Sequence, residues 1–338
     1  MMTGRLVGIC VLVPGLLAIS PSGEMPEGAH PGEVAGDPTD RQPILRVTSF
    51  VPRFLDFYEA ARSAEREILE EALEADREPE PEELERIRRA LWDEHLGEAA
   101  PDLARRPGEP WQPEGLEAAW DRYDQRLEAI RQADRGLSPE PEGVLRQVAQ
   151  ELRLDVPLEV HLIKYVGTFR EEPAFRLWNG QYTLLLPVEA LPGSLRPVLI
   201  DLYTRAIHAR LSGRPAEGNL SLAQHLFLRG LALRVHEELV PGRPAQEYLL
   251  RPRDWLLTAE RRDGAILDGV RQRLGERDGE ALEPFLAGGG TTGLTGEFDY
   301  AAWRISGLLL MDGWTLDRLA RVSEHEVDGL VAEILQSG

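Results

Sequence analysis

Two stretches of the chain, residues 198–211 and 220–240, have apolar residues at helical spacing interrupted by regularly placed polar residues. In each stretch, three of the polar residues fall on one face of a helix. They are Asp201, Arg205 and His208 in the first stretch and His225, Arg229 and His236 in the second. Polar groups on otherwise apolar helices need partners when they are buried. We therefore predict two helices whose polar faces either meet each other or face solvent.

The same periodicity predicts helices elsewhere in the chain. They lie at residues 53–76, 82–96, 114–135, 142–152, 245–250, 253–257, 266–274, 298–311 and 324–335. Alternating apolar and polar residues predict strands at 158–166, 175–178 and 182–186, and Asn179-Gly180 predicts a hairpin between the last two. The predicted fold class is therefore α+β: predominantly helical, with a small sheet and hairpin directly before the helix pair.

Composition divides the chain into four segments. Residues 1–22 hold one arginine followed by an apolar run, which is typical of a secretory signal peptide and is too short for a membrane span. Residues 23–43 are rich in Gly, Pro, Asp and Glu and predict a flexible linker. Residues 44–136 predict an acidic helical region, and residues 137–338 predict a second domain. We expect an exported protein, periplasmic or extracellular, with no membrane span in the mature chain.

The helical region 44–136 is expected to pack around four aromatic side chains: Trp92, Trp111, Trp120 and Tyr123. Its many Glu/Arg pairs at i,i+4 predict solvated helix faces, with a partner-binding surface as the functional alternative. A formal net charge of −20 argues against a nucleic-acid partner, because an acidic surface repels phosphates. The single cysteine, Cys10, lies in the predicted signal peptide, so the mature chain would have neither a disulfide nor a thiolate metal site.

The order of these elements is that of a small sheet with a hairpin, a helix, and a second helix that ends in Pro241-Gly242. This order resembles the gluzincin-type zinc metallopeptidases of the peptidase MA-like group. In that family the first helix carries an HExxH string and the second carries an "EGLA" string. The matching strings are DLYTRAIH at 201–208 and RGLA at 229–232. The helix at 298–311, with Tyr300 and Trp303, takes the place of the family's "GYxxG" helix.

The resemblance also implies which residues stand at the chemical positions of the family. The two histidine positions are Asp201 and Arg205, the general-base position is Leu202, and the third ligand position is Arg229. HExxH works through two imidazole ligands on one helix face and a glutamate that activates the zinc-bound water. Arginine remains protonated and does not bind a metal, and leucine cannot accept a proton. The resemblance therefore implies a degenerate, catalytically inactive member without a cofactor.

An inactive member would bind a peptide, a protein or an anionic ligand in a retained cleft, or would have a structural role in an assembly. The predicted cleft residues are Asp201, Arg205, His208, Arg229 and Tyr300. We expect the Asp201 carboxylate to bridge both arginines at the former metal position. If Asp201 does not saturate them, Arg205 and Arg229 would offer an anion a bidentate contact.

One alternative to this interpretation remains open. It is an active hydrolase or peptidase in which His208, His225 and His236 form a shifted metal site, for example for zinc. Separately, the glycine-rich segment at 288–296 predicts a flexible connection before the helix at 298–311, with a position that would let it cover the cleft.

Overall fold

A computed structural model of the chain describes residues 42–97, 115–178, 180–191, 193–213, 220–286 and 288–337. The predicted signal peptide at 1–22 lies outside these residues, as do most of the linker predicted at 23–43, Trp111, and Asn179 of the predicted hairpin. The described residues form a predominantly helical α+β fold with a small mixed sheet. This confirms the fold class predicted from the periodicity.

Four strands form one sheet in the order β1-β2-β4-β3. Their bounds are Ile44–Ser49 for β1, Glu159–Tyr165 for β2, Ala174–Trp178 for β3 and Gln181–Pro187 for β4. Strands β1 and β4 run parallel to β2, and β3 pairs antiparallel with β4 as the predicted hairpin. This order leaves β3 at one edge of the sheet and β1 at the other.

Strand β1 was not predicted, and it lies at the start of residues 44–136, for which the sequence predicts an acidic helical region. Its partner is remote in sequence, since Ile44 is aligned with Glu159. Periodicity reports only local patterning, and a short edge strand with exposed Ile44 and Val47 gives no clear alternation of buried and exposed positions. The pairing with β2 joins the start of this region to the sheet that precedes the helix pair.

Three helices follow β1, namely α1 (Val51–Glu74), α2 (Pro81–Leu96) and α3 (Leu116–Arg135). They share an aromatic core that buries the predicted side chains Trp92, Trp120 and Tyr123. Among the Glu/Arg pairs, Glu65 departs from the predicted solvated faces. It is buried, and its carboxylate pairs with Arg62 and Arg88. This buried acid contributes to the α1–α2 contact instead of facing solvent.

The other described helices continue the chain to its end. Their bounds are α4 (Pro141–Glu151), α5 (Arg196–Leu211), α6 (Leu222–Leu239), α7 (Ala245–Tyr248), α8 (Arg253–Arg261), α9 (Asp263–Arg271), α10 (Gly279–Leu286), α11 (Glu297–Met311), α12 (Leu316–Leu319) and α13 (Glu324–Ser337). The two helices predicted at 198–211 and 220–240 are α5 and α6. The short helix α10 was not predicted, because so few residues hold too little periodicity. None of the described helices is long and apolar enough to cross a membrane.

Helix α6 lies at the centre of the larger core, because it packs against α5, α11 and α13 and has buried residues along most of its length. Gly230 allows the close approach of α11. A Cβ atom at this position would lie 2.4 Å from the backbone oxygen of Ala302 and 2.9 Å from Cβ of Ser306. The glycine of the RGLA string therefore has a packing role.

The glycine-rich segment at 288–296, predicted to be a flexible connection, contacts the first residue of α11. The buried carboxylate of Glu297 accepts hydrogen bonds from the backbone N–H and the hydroxyl groups of Thr291 and Thr292. Glycines supply the left-handed backbone that these contacts need, with φ of +54° at Gly290 and +77° at Gly293. The segment is therefore held against the first turn of α11.

The single lysine of the chain, Lys164, is buried at the end of β2 and does not lie on the surface. Its Nζ donates hydrogen bonds to the backbone oxygens of Ala133 at 2.9 Å and Asp134 at 3.1 Å. These carbonyls belong to the last turn of α3, where the helix has no partners of its own for them. Burial lowers the pKa of Lys164, and the nearby charge of Asp134 opposes that shift. The ammonium group thus fixes the C-terminus of α3 to the sheet.

We expect Lys164→Arg to lower the free energy of unfolding by about 1–3 kcal/mol, because a planar guanidinium cannot replace a compact ammonium between converging carbonyls. The matched control is the reverse exchange on the neighbouring strand. Arg46→Lys, at an exposed position of β1, should change stability by less than about 0.5 kcal/mol. Urea unfolding followed by circular dichroism measures both variants. Equal stabilities for wild type and Lys164→Arg would contradict the assigned role.

Candidate functional site

Helices α5 and α6 position the predicted site. Helix α5 begins with Arg196-Pro197, where proline suits the first turn. Ser221 is the N-cap of helix α6. Its hydroxyl accepts the N–H of Gln224, and the Gln224 side chain accepts the N–H of Ser221 in return. The polar faces of α5 and α6 meet each other where Asp201 contacts Arg229.

Asp201 on α5 bridges two arginines, as predicted. Its Oδ2 lies 2.7 Å from Nε of Arg205, and its Oδ1 lies 3.1 Å from Nη1 of Arg229 on α6. Arg229 in turn places Nε 2.8 Å from Oδ1 of Asp299 on α11, and Oδ2 of Asp299 lies 3.4 Å from Nη2 of Arg251. Three cations and two anions therefore alternate along one chain of contacts. We call these five residues the ion-pair network.

Two members of the ion-pair network, Asp299 and Arg251, were not predicted. Asp299 immediately precedes Tyr300, a predicted cleft residue, so the carboxylate of Asp299 offered a signal. Arg251 follows α7 in a turn and carries no pattern that would single it out among the arginines of the chain. Only the folded arrangement brings α11 and this turn to the same point.

The charges of the ion-pair network stabilise each other. Burial alone would raise the pKa of Asp201, but Arg205 and Arg229 together hold it below its usual value. Burial would lower the pKa of Arg229, and the carboxylates of Asp201 and Asp299 raise it instead. The side chains are 16% to 32% exposed, so solvent screens them only partly. Asp201 therefore stays ionised over the ordinary pH range.

These residues do not fit the zinc ion that the gluzincin resemblance implies. Asp201 is the single potential ligand among the three ligand positions, since Arg205 and Arg229 are cations that would repel Zn²⁺. Leu202, at the position of the general base, is 3% exposed and packs in the core. Where the resemblance places metal chemistry, this chain has a cluster of ion pairs with one more cation than anions.

The alternative metal site of three histidines is not assembled. His208 is buried, with Nδ1 3.1 Å from the backbone oxygen of Ala320. His236 packs edge-on against Tyr248, with ring centroids 5.3 Å apart, and burial lowers its pKa to about 4. His225 lies partly buried on α6. Within the described ranges, no group of three or more His, Cys, Asp or Glu side chains is arranged to hold a metal ion.

A cleft of about 320 Å³ lies beside the ion-pair network. Two of the predicted cleft residues, Asp201 of α5 and Arg229 of α6, line it, and Leu202 lies beside them. The other walls come from the segment before β3, from the start of α5, from the second half of α6 and from the region of α7. The residues on these walls are Glu172, Pro173, Pro197, Val198, Ala232, Leu233, His236, Tyr248 and Leu250. Most of this surface is apolar.

Three of the predicted cleft residues do not line this cleft. Arg205 lies one turn along α5 from Asp201 and contacts its carboxylate. His208 lies deeper in the core, where its ring faces Phe227. Tyr300 is buried and donates a hydrogen bond of 2.8 Å to Asp263 of α9. Helical spacing correctly placed these residues on the right helices, but it could not decide which side of each helix opens to solvent.

Comparison with known proteins adds no relative: no family model matches the chain, and neither curated proteins nor solved structures match it significantly.

We expect Asp201→Ala to lower the free energy of unfolding by about 3 kcal/mol, because Arg205 and Arg229 would remain partly buried without their shared carboxylate. Asp268→Ala is the matched control, since Asp268 forms one exposed ion pair with Arg271 on α9 and should contribute less than about 1 kcal/mol. The pKa of Asp201 is depressed, so its contribution is full above about pH 4 and declines as the pH falls further. Urea unfolding at several pH values from about 2 to about 7 measures the stability of both variants. Equal effects of the two substitutions would exclude the bridging role.

Proposed function

We propose that this chain is a catalytically inactive relative of the gluzincin metallopeptidases and that its cleft binds peptides. The observation that supports the proposal is the ion-pair network, which brings Asp201, Arg205 and Arg229 together at the three positions that the resemblance assigns to metal ligands. Asp201 and Arg205 are neighbours on one helix, but the approach of Arg229 from α6 depends on the fold. The proposal includes export, which rests on the pattern of residues 1–22.

The lining of the cleft favours a peptide over a small anion. Arg229 is the arginine on the cleft wall, and it already donates to Asp201 and Asp299. Arg205 is engaged by Asp201, so the two arginines offer no joint bidentate contact to an anion. The remaining surface is largely apolar and suits side chains of a bound segment. Pro173 on the cleft wall leads directly into β3, and the backbone groups at that sheet edge could pair with an extended chain.

Rebuilding the metal site tests the relationship to the gluzincins. A variant with Asp201→His, Leu202→Glu, Arg205→His and Arg229→Glu restores the ligands and the base. Asp299→Asn is added so that the new glutamate does not face a second carboxylate. We expect this variant to bind one equivalent of Co²⁺ with a tetrahedral absorption spectrum, because the three positions already converge. Wild type should neither bind Co²⁺ nor hydrolyse casein.

The matched control places two histidines at the same spacing on a solvent-exposed face. Glu85→His with Arg89→His on α2 replaces an exposed i,i+4 ion pair and offers two ligands without a third. Circular dichroism establishes that both variants are folded. If the rebuilt site binds Co²⁺ no more tightly than this two-histidine control, the positions are not those of a gluzincin and the proposed relationship fails.

Peptide binding is tested at the exposed leucine of the cleft. Leu250 lines the cleft and is 65% exposed, so a bound peptide would cover it. Leu250→Asp should weaken binding to the best peptides of a random-sequence array by about tenfold or more, because it removes apolar contact and adds a charge. Leu73→Asp is the control, since Leu73 is 80% exposed on α1 outside the cleft. Equal binding by both variants, or no peptide bound by wild type, would contradict peptide binding in the cleft.

A further inference from the structure

His236 is a buried polar side chain on the wall of the cleft. It is 7% exposed and lies in the second half of α6, where its ring packs edge-on against Tyr248. No described residue forms a hydrogen bond with either nitrogen of this imidazole ring. Buried polar groups normally have hydrogen-bond partners. The partner of this ring must therefore come from what occupies the cleft.

The other polar side chains of the cleft wall are engaged or exposed. Asp201 and Arg229 contact each other within the ion-pair network. The hydroxyl of Tyr248 donates to a backbone oxygen at the end of α6, at 2.6 Å. Glu172 is exposed to solvent. His236 is thus the buried polar side chain on this wall whose hydrogen-bonding atoms a ligand can use.

The charges around His236 favour an anion over a cation. Burial lowers the pKa of His236 to about 4, and the positive charges of Arg243, Arg196 and Arg229 lower it further, while Glu237 opposes them. The ring is therefore uncharged near neutral pH, with one N–H donor and one acceptor nitrogen. The three guanidinium groups would repel an ammonium group and attract a carboxylate.

Neighbouring carboxylates do not fully neutralise these arginines. Arg196 donates to the amide oxygen of Gln147 at 2.6 Å and forms no ion pair with a described residue. Arg243 pairs with Glu247 at a distance of 3.8 Å. The ion-pair network adds one more cation than anions. A positive potential therefore extends along this side of the cleft.

The length of the α6 wall suits a short peptide segment. Arg229 and His236 are seven residues apart on α6, so the helical rise separates them by about 10 Å. Ala232 and Leu233 line the cleft between them. About three extended residues span that distance. Apolar side chains of a ligand can thus contact this wall while a carboxylate reaches His236.

We infer that His236 anchors a carboxylate group of a bound peptide, which accepts a hydrogen bond from the imidazole ring and is held by the surrounding positive charge. The C-terminus of the peptide and an Asp or Glu side chain offer the same chemistry. The inference rests on the proposed function, because it specifies which peptides the cleft binds.

Three matched peptide series, bound to the full chain and followed by fluorescence anisotropy, test the inference. All derive from the best peptides of the random-sequence array, with Asp and Glu replaced by Asn and Gln. The first series has a free C-terminus, the second is amidated, and the third is amidated with Asp as its last residue. Wild type should bind the first or the third about tenfold more tightly than the second, because the second lacks the charged acceptor. The tighter of the two identifies the source of the carboxylate.

His236→Phe keeps a ring against Tyr248 and removes both nitrogens. This variant should bind all three series with equal affinity, and the amidated second series within about threefold of wild type. His95→Phe is the control, the same exchange at a half-buried position of α2 outside the cleft. It should retain the wild-type preference. A purely structural effect would weaken all three series alike, so the preference separates binding from folding.

Equal binding of all three series by wild type would overturn the inference, as would a carboxylate preference that persists in His236→Phe. If His236→Phe fails to fold, Arg243→Gln serves as the second variant, because it removes an exposed charge near the ring and should reduce the preference about twofold or more. An unchanged preference there would also contradict the inference. If wild type binds no peptide of any series, the proposed function fails and the inference with it. Binding without a carboxylate preference refutes the inference alone.

Discussion

The arrangement of the larger core depends on one carboxylate, that of Asp201, placed between two guanidinium groups. Arginine keeps its charge at any ordinary pH, so Arg205 and Arg229 can face the inside of the helix pair only if an anion accompanies them. Asp201 meets this requirement for α5 and α6, and Asp299 extends it to α11. Three helices are thereby held in one relative position. The same contacts fix Asp201 and Arg229, which line the cleft beside these helices.

The local sequence pattern predicted where the helices and strands lie better than it predicted which of them make contact. Helical periodicity located α5 and α6 and left open whether their polar faces meet or face solvent. The prediction that Asp201 bridges Arg205 and Arg229 came from the resemblance to the gluzincins. The local pattern did not find β1, which pairs with a strand far away in sequence. Nor could it identify Asp299 and Arg251, since their roles depend on the packing of α11 and of the turn after α7. The orientation of Tyr300 toward Asp263 was hidden for the same reason.

Three buried charged side chains show how the surroundings decide what a residue does. The ammonium of Lys164 is accepted by helix carbonyls, and the carboxylate of Asp201 by two guanidinium groups. The carboxyl group of Glu189 is completely buried and accepts the backbone N–H of Phe169. A buried charged group is thus accepted by helix carbonyls, by guanidinium groups or by backbone N–H groups, according to what the fold places beside it.

The direct ionic contact between Asp201 and Arg229 joins α5 to α6 and places both side chains on the cleft wall. A double-mutant cycle with Asp201→Asn and Arg229→Gln, measured by urea unfolding, tests it most directly. The account predicts a coupling energy of about 1–3 kcal/mol between the two substitutions. Additive effects, with a coupling energy near zero, would show that the two side chains do not act together and would contradict it.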